Sequence, residues 1–166
     1  MDTKNVTVKM VLDSWNDHLK KFNEVITSLS DEDLNREVYP GRSRAFYLLG
    51  HMIAVHDNTM KLFGFGNPQY PELYEIFARN KDRDIDHNLT ISQLKEYWEN
   101  VNDTLNENFL KLSADEWFEK HTAVSDEDFA KEPHRNKLNI VLTRTNHLQY
   151  HFGQITFVQS KFNSKK

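Results

Sequence analysis

His147 and His151 stand four residues apart in the run His147-Leu-Gln-Tyr-His151-Phe-Gly-Gln154. On a helix, four residues make about one turn, so both imidazoles leave one face with Cβ atoms about 5–6 Å apart. Two ring nitrogens at that separation can share one transition-metal ion, and imidazole is a favoured ligand for such ions. The setting adds weight. Ile140, Thr143, Ile155, Val158 and Phe162 fall on the same helical face, and an apolar stripe of this kind is turned toward a core. A neutral imidazole offers one donor and one acceptor, and leaving either unmet in a core costs about 1–3 kcal/mol. A metal answers one nitrogen on each ring at once. Hydrogen bonds from each ring to a neighbouring helix would answer the same need.

A catalytic metal usually takes three protein ligands and keeps one position open. The sequence has no cysteine, which removes thiolate ligands, disulfides and an internal thiol nucleophile. His51 is the best third ligand, being the one histidine inside the apolar stripe of its own segment. His18, on the inward side of the first segment, and Tyr47 are candidates to line a pocket. Gln154, three residues past His151, is placed to orient that ring. His56 is five residues past His51 and points about 140° away on a helix, toward a different neighbour. His87, His121 and His134 lie in polar stretches where an exposed histidine needs no explanation. Asp57 and Glu75 fall on no inward stripe. Glu96 and Glu99 flank Trp98 on a wet face, and Ser125-Asp126-Glu127-Asp128 reads as a solvated loop.

Four long segments must position these residues, and each shows helical period. The first, near 5–29, carries Val8, Val11, Trp15, His18, Leu19, Phe22, Ile26 and Leu29 on one face. The second, near 43–63, starts at Ser43 as N-cap, carries Leu48, His51, Met52, Val55 and Leu62, and stops at Gly64 and Gly66. The third, near 90–112, opens on a Thr90–Gln93 capping box. The fourth, near 136–162, follows Pro133 with Asn136 as cap. No segment alternates strongly enough to argue for a sheet. The expectation is an all-α, single-domain chain over residues 1–166, a four-helix bundle. The connection from Gly64 to Leu89 is long, with turns at Asn67-Pro68 and Tyr70-Pro71 and a short helix near 72–79. It favours an up-down-down-up order in which this stretch crosses over between helices two and three. Leu29-Ser30-Asp31-Glu32-Asp33-Leu34 and Leu112-Ser113-Ala114-Asp115-Glu116-Trp117 hint at an internal repeat, although Ser-x-x-Asp/Glu is also a common helix start. The second half adds a loop-like acidic insertion from His121 to Arg135.

The chain's 166 residues carry 21 basic and 25 acidic side chains, a net charge of −4. No basic block is present, so nucleic acid and anionic membranes are not expected partners. No apolar run approaches the roughly 20 residues that span a bilayer. The N-terminus shows no secretory pattern, so a cytoplasmic location is expected.

One histidine at Gly50-His51-Met52 in the second helix, combined with HxxxHxGQ from His147 to Gln154 in the fourth, resembles the DinB/YfiT-like superfamily. The likeness runs through essentially the whole chain in helix order. It implies an up-down-down-up bundle, often a homodimer, in which His51, His147 and His151 bind a divalent metal, often nickel or zinc. Characterised members of that family include S-transferases that use thiols such as bacillithiol, mycothiol or glutathione, and a thiol-dependent isomerase. Fold likeness does not carry a reaction with it. The residues themselves permit metal activation of a nucleophile from outside the chain. The expected function is a metal-dependent S-transferase with a low-molecular-weight thiol and a small-molecule electrophile. The alternatives are a metal-dependent hydrolase using bound hydroxide and a non-catalytic metal- or ligand-binding bundle. A hydrolase would want a positioned carboxylate base, and none is evident.

Overall fold

A computed structural model describes residues 2–159, and Phe162, expected on the inward face of the fourth helix, lies outside them. The described residues are helical, with no strand. Seven α-helices appear: α1 (Thr3–Ser28), α2 (Asp31–Asn35), α3 (Ala45–Phe63), α4 (Glu72–Tyr74), α5 (Ile91–Phe109), α6 (Asp126–Lys131) and α7 (Lys137–Ile155). A π-helical turn, Glu75–Arg79, continues α4, and short 3₁₀ turns cover Glu116–Phe118 and Thr156–Val158. The four long helices are α1, α3, α5 and α7. Among the described residues, no helix is long and apolar enough to cross a membrane.

The helix starts follow local chemistry. Thr90 and Gln93 form a reciprocal capping box at α5, and Asn136 Oδ1 accepts from the Asn139 amide at 2.9 Å to start α7. The start of α3 differs from expectation. Its N-cap is Arg44, not Ser43. The Arg44 amide donates to Asp82 Oδ2 at 2.8 Å, and its guanidinium holds the same carboxylate at 2.6 Å. An acid from the long connection thus fixes the N-cap residue, while no side chain among the described residues caps the first amides of α3. At the other end of α3, Gly64 takes the left-handed conformation (φ 74°) that closes the helix.

Trp15, Phe22, Leu49, Leu105 and Leu148 are fully buried where the long helices meet. Trp15 Nε1 donates to Asn106 Oδ1, and Trp98 Nε1 donates to Asn23 Oδ1, stitching α1 to α5. Phe63 packs on Phe109 between α3 and α5, and Phe22 on Phe152 between α1 and α7. Helix α3 is buried on nearly every side, because the crossover wraps the flank that its neighbours leave open. That corrects the reading of Asp57. Its side chain is buried (1% exposed) and accepts from the Gln69 and Tyr70 amides at 2.8 and 2.7 Å. Those amides sit between Pro68 and Pro71, where the chain makes no regular bonds of its own, so a buried carboxylate supplies the acceptor.

Helix α7 also departs from expectation. Its buried residues are Leu138, Val141, Thr145, Leu148, His151 and Ile155, whereas Thr143 is exposed and Ile140 and His147 are half-buried. The core face is rotated from the stripe read in the sequence, so the histidine pair occupies the edge of the buried face. The helix ends at Ile155 rather than near 162. The stretch expected as an acidic loop contains α6, whose Ser125 cap accepts from the Asp128 amide. His87 is half-buried, its ring 5.5 Å from and parallel to that of Phe46, instead of free in a polar loop.

The hint of a repeat has structural counterparts. Ser30 with Asp33 and Ser113 with Glu116 make the same reciprocal turn. An isolated bridge follows each one, Glu37 with Arg44 and Lys120 with Asn136. A backbone bond then launches each histidine-bearing helix, from Ala45 N–H to Arg36 O and from Lys137 N–H to Glu119 O.

Candidate metal centre

Helices α3 and α7 bring His51, His147 and His151 together, with one potential ligand atom from each ring inside a 4.8 Å cluster. His147 Nε2 lies 3.2 Å from His51 Nε2 and 3.0 Å from His151 Nε2. Four nitrogens placed tetrahedrally about zinc at about 2.0–2.1 Å stand roughly 3.3 Å apart, so these separations suit a shared ion.

The outer nitrogens decide which ring atoms are free. His51 Nδ1–H donates to the Phe77 carbonyl at 2.8 Å. His151 Nδ1–H donates to Gln154 Oε1 at 2.7 Å. With those protons on Nδ1, both Nε2 atoms carry lone pairs aimed at His147. A single His147 Nε2–H cannot donate well to two acceptors at once, and His147 Nδ1 has no partner of its own. The trio is therefore under-satisfied at Nε2 as a hydrogen-bonded set, and three lone pairs converging on a cation would answer that shortfall. The donor set fits a divalent transition metal, and the bonds at Nδ1 are the second-layer contacts that fix ligand rings in such centres.

Burial pushes all three pKa values down, His51 in direction and His147 and His151 to about 4. For His147 the neighbouring His151 and His51 charges and Arg144 add to that fall. The rings are thus neutral near pH 7, the state in which imidazole ligates.

The Phe77 carbonyl reaches His51 through the π-helical turn, and π turns of this type often sit at functional sites. Phe77 seats against Gly50, where an added Cβ would stand 2.7 Å from the ring. Glycine next to His51 therefore sets how closely the crossover can approach.

Beside the histidines opens a cavity of about 590 Å³ whose wall includes Tyr47, His51, His151 and Gln154. Tyr47 donates its hydroxyl proton to Asn80 O at 2.6 Å, and burial raises its pKa, so it stays a neutral phenol. His18 is not part of that wall. Its Nδ1–H is bonded to the Ser14 carbonyl at 2.6 Å. Sequence reasoning passed over Arg42, Ser43, Tyr150 and Phe157, which also line the cavity. Tyr150 carried a legible signal, since it lies between the two helix-borne histidines. Arg42 and Ser43 sit in the turn that precedes α3, and no periodic pattern reaches a turn.

His56 belongs elsewhere. It is fully buried between Trp15 and Trp98, with ring centroids 4.9 and 5.0 Å away. Its Nδ1–H donates to Asn102 Oδ1 at 2.7 Å, and burial drives its pKa to about 3.

The profile of the DinB superfamily matches residues 14–155. The chain belongs to that superfamily. Comparison with curated proteins gives no match. Among solved structures it is similar to a conserved protein from Enterococcus faecalis, at 13% identity and a TM-score of 0.63, covering 99% of each chain. At that identity the likeness establishes the shared fold alone.

Proposed function

We propose that this protein is a metal-dependent S-transferase that joins a low-molecular-weight thiol to a small electrophile. Nickel or zinc is the expected ion, held by His51, His147 and His151. The observation that carries the reading is the cluster of three Nε2 atoms, two of them on rings in the wall of a cavity whose described lining includes no carboxylate. A hydrolase built on the same centre would be served by a carboxylate base, and its lack in the wall favours a nucleophile that needs none.

A divalent cation on three neutral imidazoles keeps its full charge and lowers the pKa of a thiol placed on it. The chain's own groups do the rest. The Phe77 carbonyl and Gln154 hold protons at His51 Nδ1 and His151 Nδ1, which keeps both Nε2 atoms free as donors of electron pairs. Tyr47, fixed by Asn80, borders the space for the electrophile. In the net reaction a carbon–sulfur bond forms, the bond to the leaving group breaks, and the thiol proton passes to solvent.

The architecture in this reading is a single-domain, up-down-down-up four-helix bundle. Residue pairings support it. Trp15 meets Asn106 while Asn23 meets Trp98, as in helices of opposite direction. His56 meets Asn102 while Phe63 meets Phe109, as in helices of like direction. A homodimer in the cytoplasm completes the proposal, since a free thiol cosubstrate persists best in a reducing compartment.

The test uses protein loaded with zinc or nickel, 1-chloro-2,4-dinitrobenzene as electrophile, and bacillithiol, mycothiol or glutathione. Turnover that requires both metal and one of the thiols is the expected result. Loss of electrophile at the same rate without thiol would point to hydrolysis. Loss under no condition would point to a binding protein.

A further inference from the structure

The cavity beside the histidines has a second end whose chemistry the metal does not explain. Tyr39, Tyr150 and Phe157 line it and are 69, 64 and 69% exposed. Three large rings left open to water around one opening form an unpartnered apolar rim, and such rims mark binding sites. Arg42 lines the same cavity and makes no ion pair among the described residues. Among the described residues, no carboxylate lines the cavity.

We infer that the cavity selects an organic anion with a flat apolar body, its acidic group held by Arg42 at the mouth and its body against Tyr39, Tyr150 and Phe157. The placement rests on reading this cavity as the substrate site, and the anion is assigned to the electrophilic substrate. The polar thiols of the proposed reaction make little use of three exposed rings, whereas an aromatic acid covers them. Positive charge at Arg42 draws such a molecule in, and the guanidinium fork matches a carboxylate or sulfonate.

The probes are 2-naphthoate, its neutral counterpart 2-naphthamide, and glutathione, each titrated calorimetrically at pH 8 into metal-free and zinc-loaded protein. The expected result is that 2-naphthoate binds about tenfold more tightly than the amide in both forms. Arg42→Ala, at an exposed position that leaves the fold intact, should erase that preference, and Arg42→Lys should keep part of it. Tyr150→Ala should weaken both naphthalene probes alike. Equal affinity for acid and amide, no binding of either, or an acid preference that survives Arg42→Ala would each overturn the proposal. An Arg42-dependent gain for glutathione but not for 2-naphthoate would overturn the assignment to the apolar substrate. Zinc retention, measured separately by elemental analysis, keeps the two readings apart. Preference for the acid in protein that never holds zinc sinks the metal centre and leaves the anion site standing. Zinc held tightly with no preference for the acid does the reverse.

Discussion

His147 Nε2 stands 3.2 Å from His51 Nε2, although 96 residues separate them in the chain. The pair spans the seam between α3 and α7, and His151 completes the cluster from the next turn of α7. His147 is the hub, because its Nε2 is close to both of the other two.

His147→Ala should therefore abolish retention of zinc or nickel, read by elemental analysis after gel filtration. The exposed change Thr143→Ala, one turn earlier on the same helix, should leave occupancy untouched. Full occupancy in the His147 variant would remove that residue from the centre.

Gly50→Ala tests the crossover. The new methyl would meet the Phe77 ring at 2.7 Å, and overpacking of this kind costs about 1–3 kcal/mol. The displaced turn would carry the Phe77 carbonyl away from His51 Nδ1. We expect a lower melting temperature together with weaker zinc binding, and unchanged zinc affinity would mean that this carbonyl does not set the ring.

Gln154→Ala removes the acceptor at His151 Nδ1. Loss of such a contact typically weakens metal binding about 10–100-fold. Competition with a chromogenic chelator would measure the change, and an affinity equal to the parent's would show that the ring is held by packing alone.

Acid should destabilise the metal-free chain. An unfolded histidine titrates near 6.5, whereas in the folded state burial holds His56 at about 3 and His147 and His151 at about 4. The unfolded chain thus takes up these protons first. The stability owed to neutral rings is complete above about pH 6.5 and is lost as pH falls toward 4. Fully buried His56 alone accounts for a loss of about 2 kcal/mol at pH 5, and the half-exposed His147 adds less because water screens it. Urea midpoints of chelator-treated protein at pH 7.5, 6 and 5 should fall in that order. A midpoint that holds steady would mean the rings titrate normally.

What the sequence determined is local. The helical period of four long segments, the caps at Thr90 and Asn136, and the one-turn spacing of His147 and His151 all follow from a repeat of 3.6 residues and from side chains reaching their own backbone. The apolar company of His51 made it the third histidine to consider. The tertiary structure decided what depends on atoms far apart in the chain. It turned α7 so that Val141 rather than Thr143 faces inward. It buried Asp57 to hold the amides of the crossover. It tied the N-cap residue of α3, Arg44, to Asp82, and it set the Phe77 carbonyl on His51. Periodicity marks which residues prefer to avoid water, but several rotations of a helix bury nearly the same apolar area. Close packing against the neighbouring helices and the crossover selects one of them.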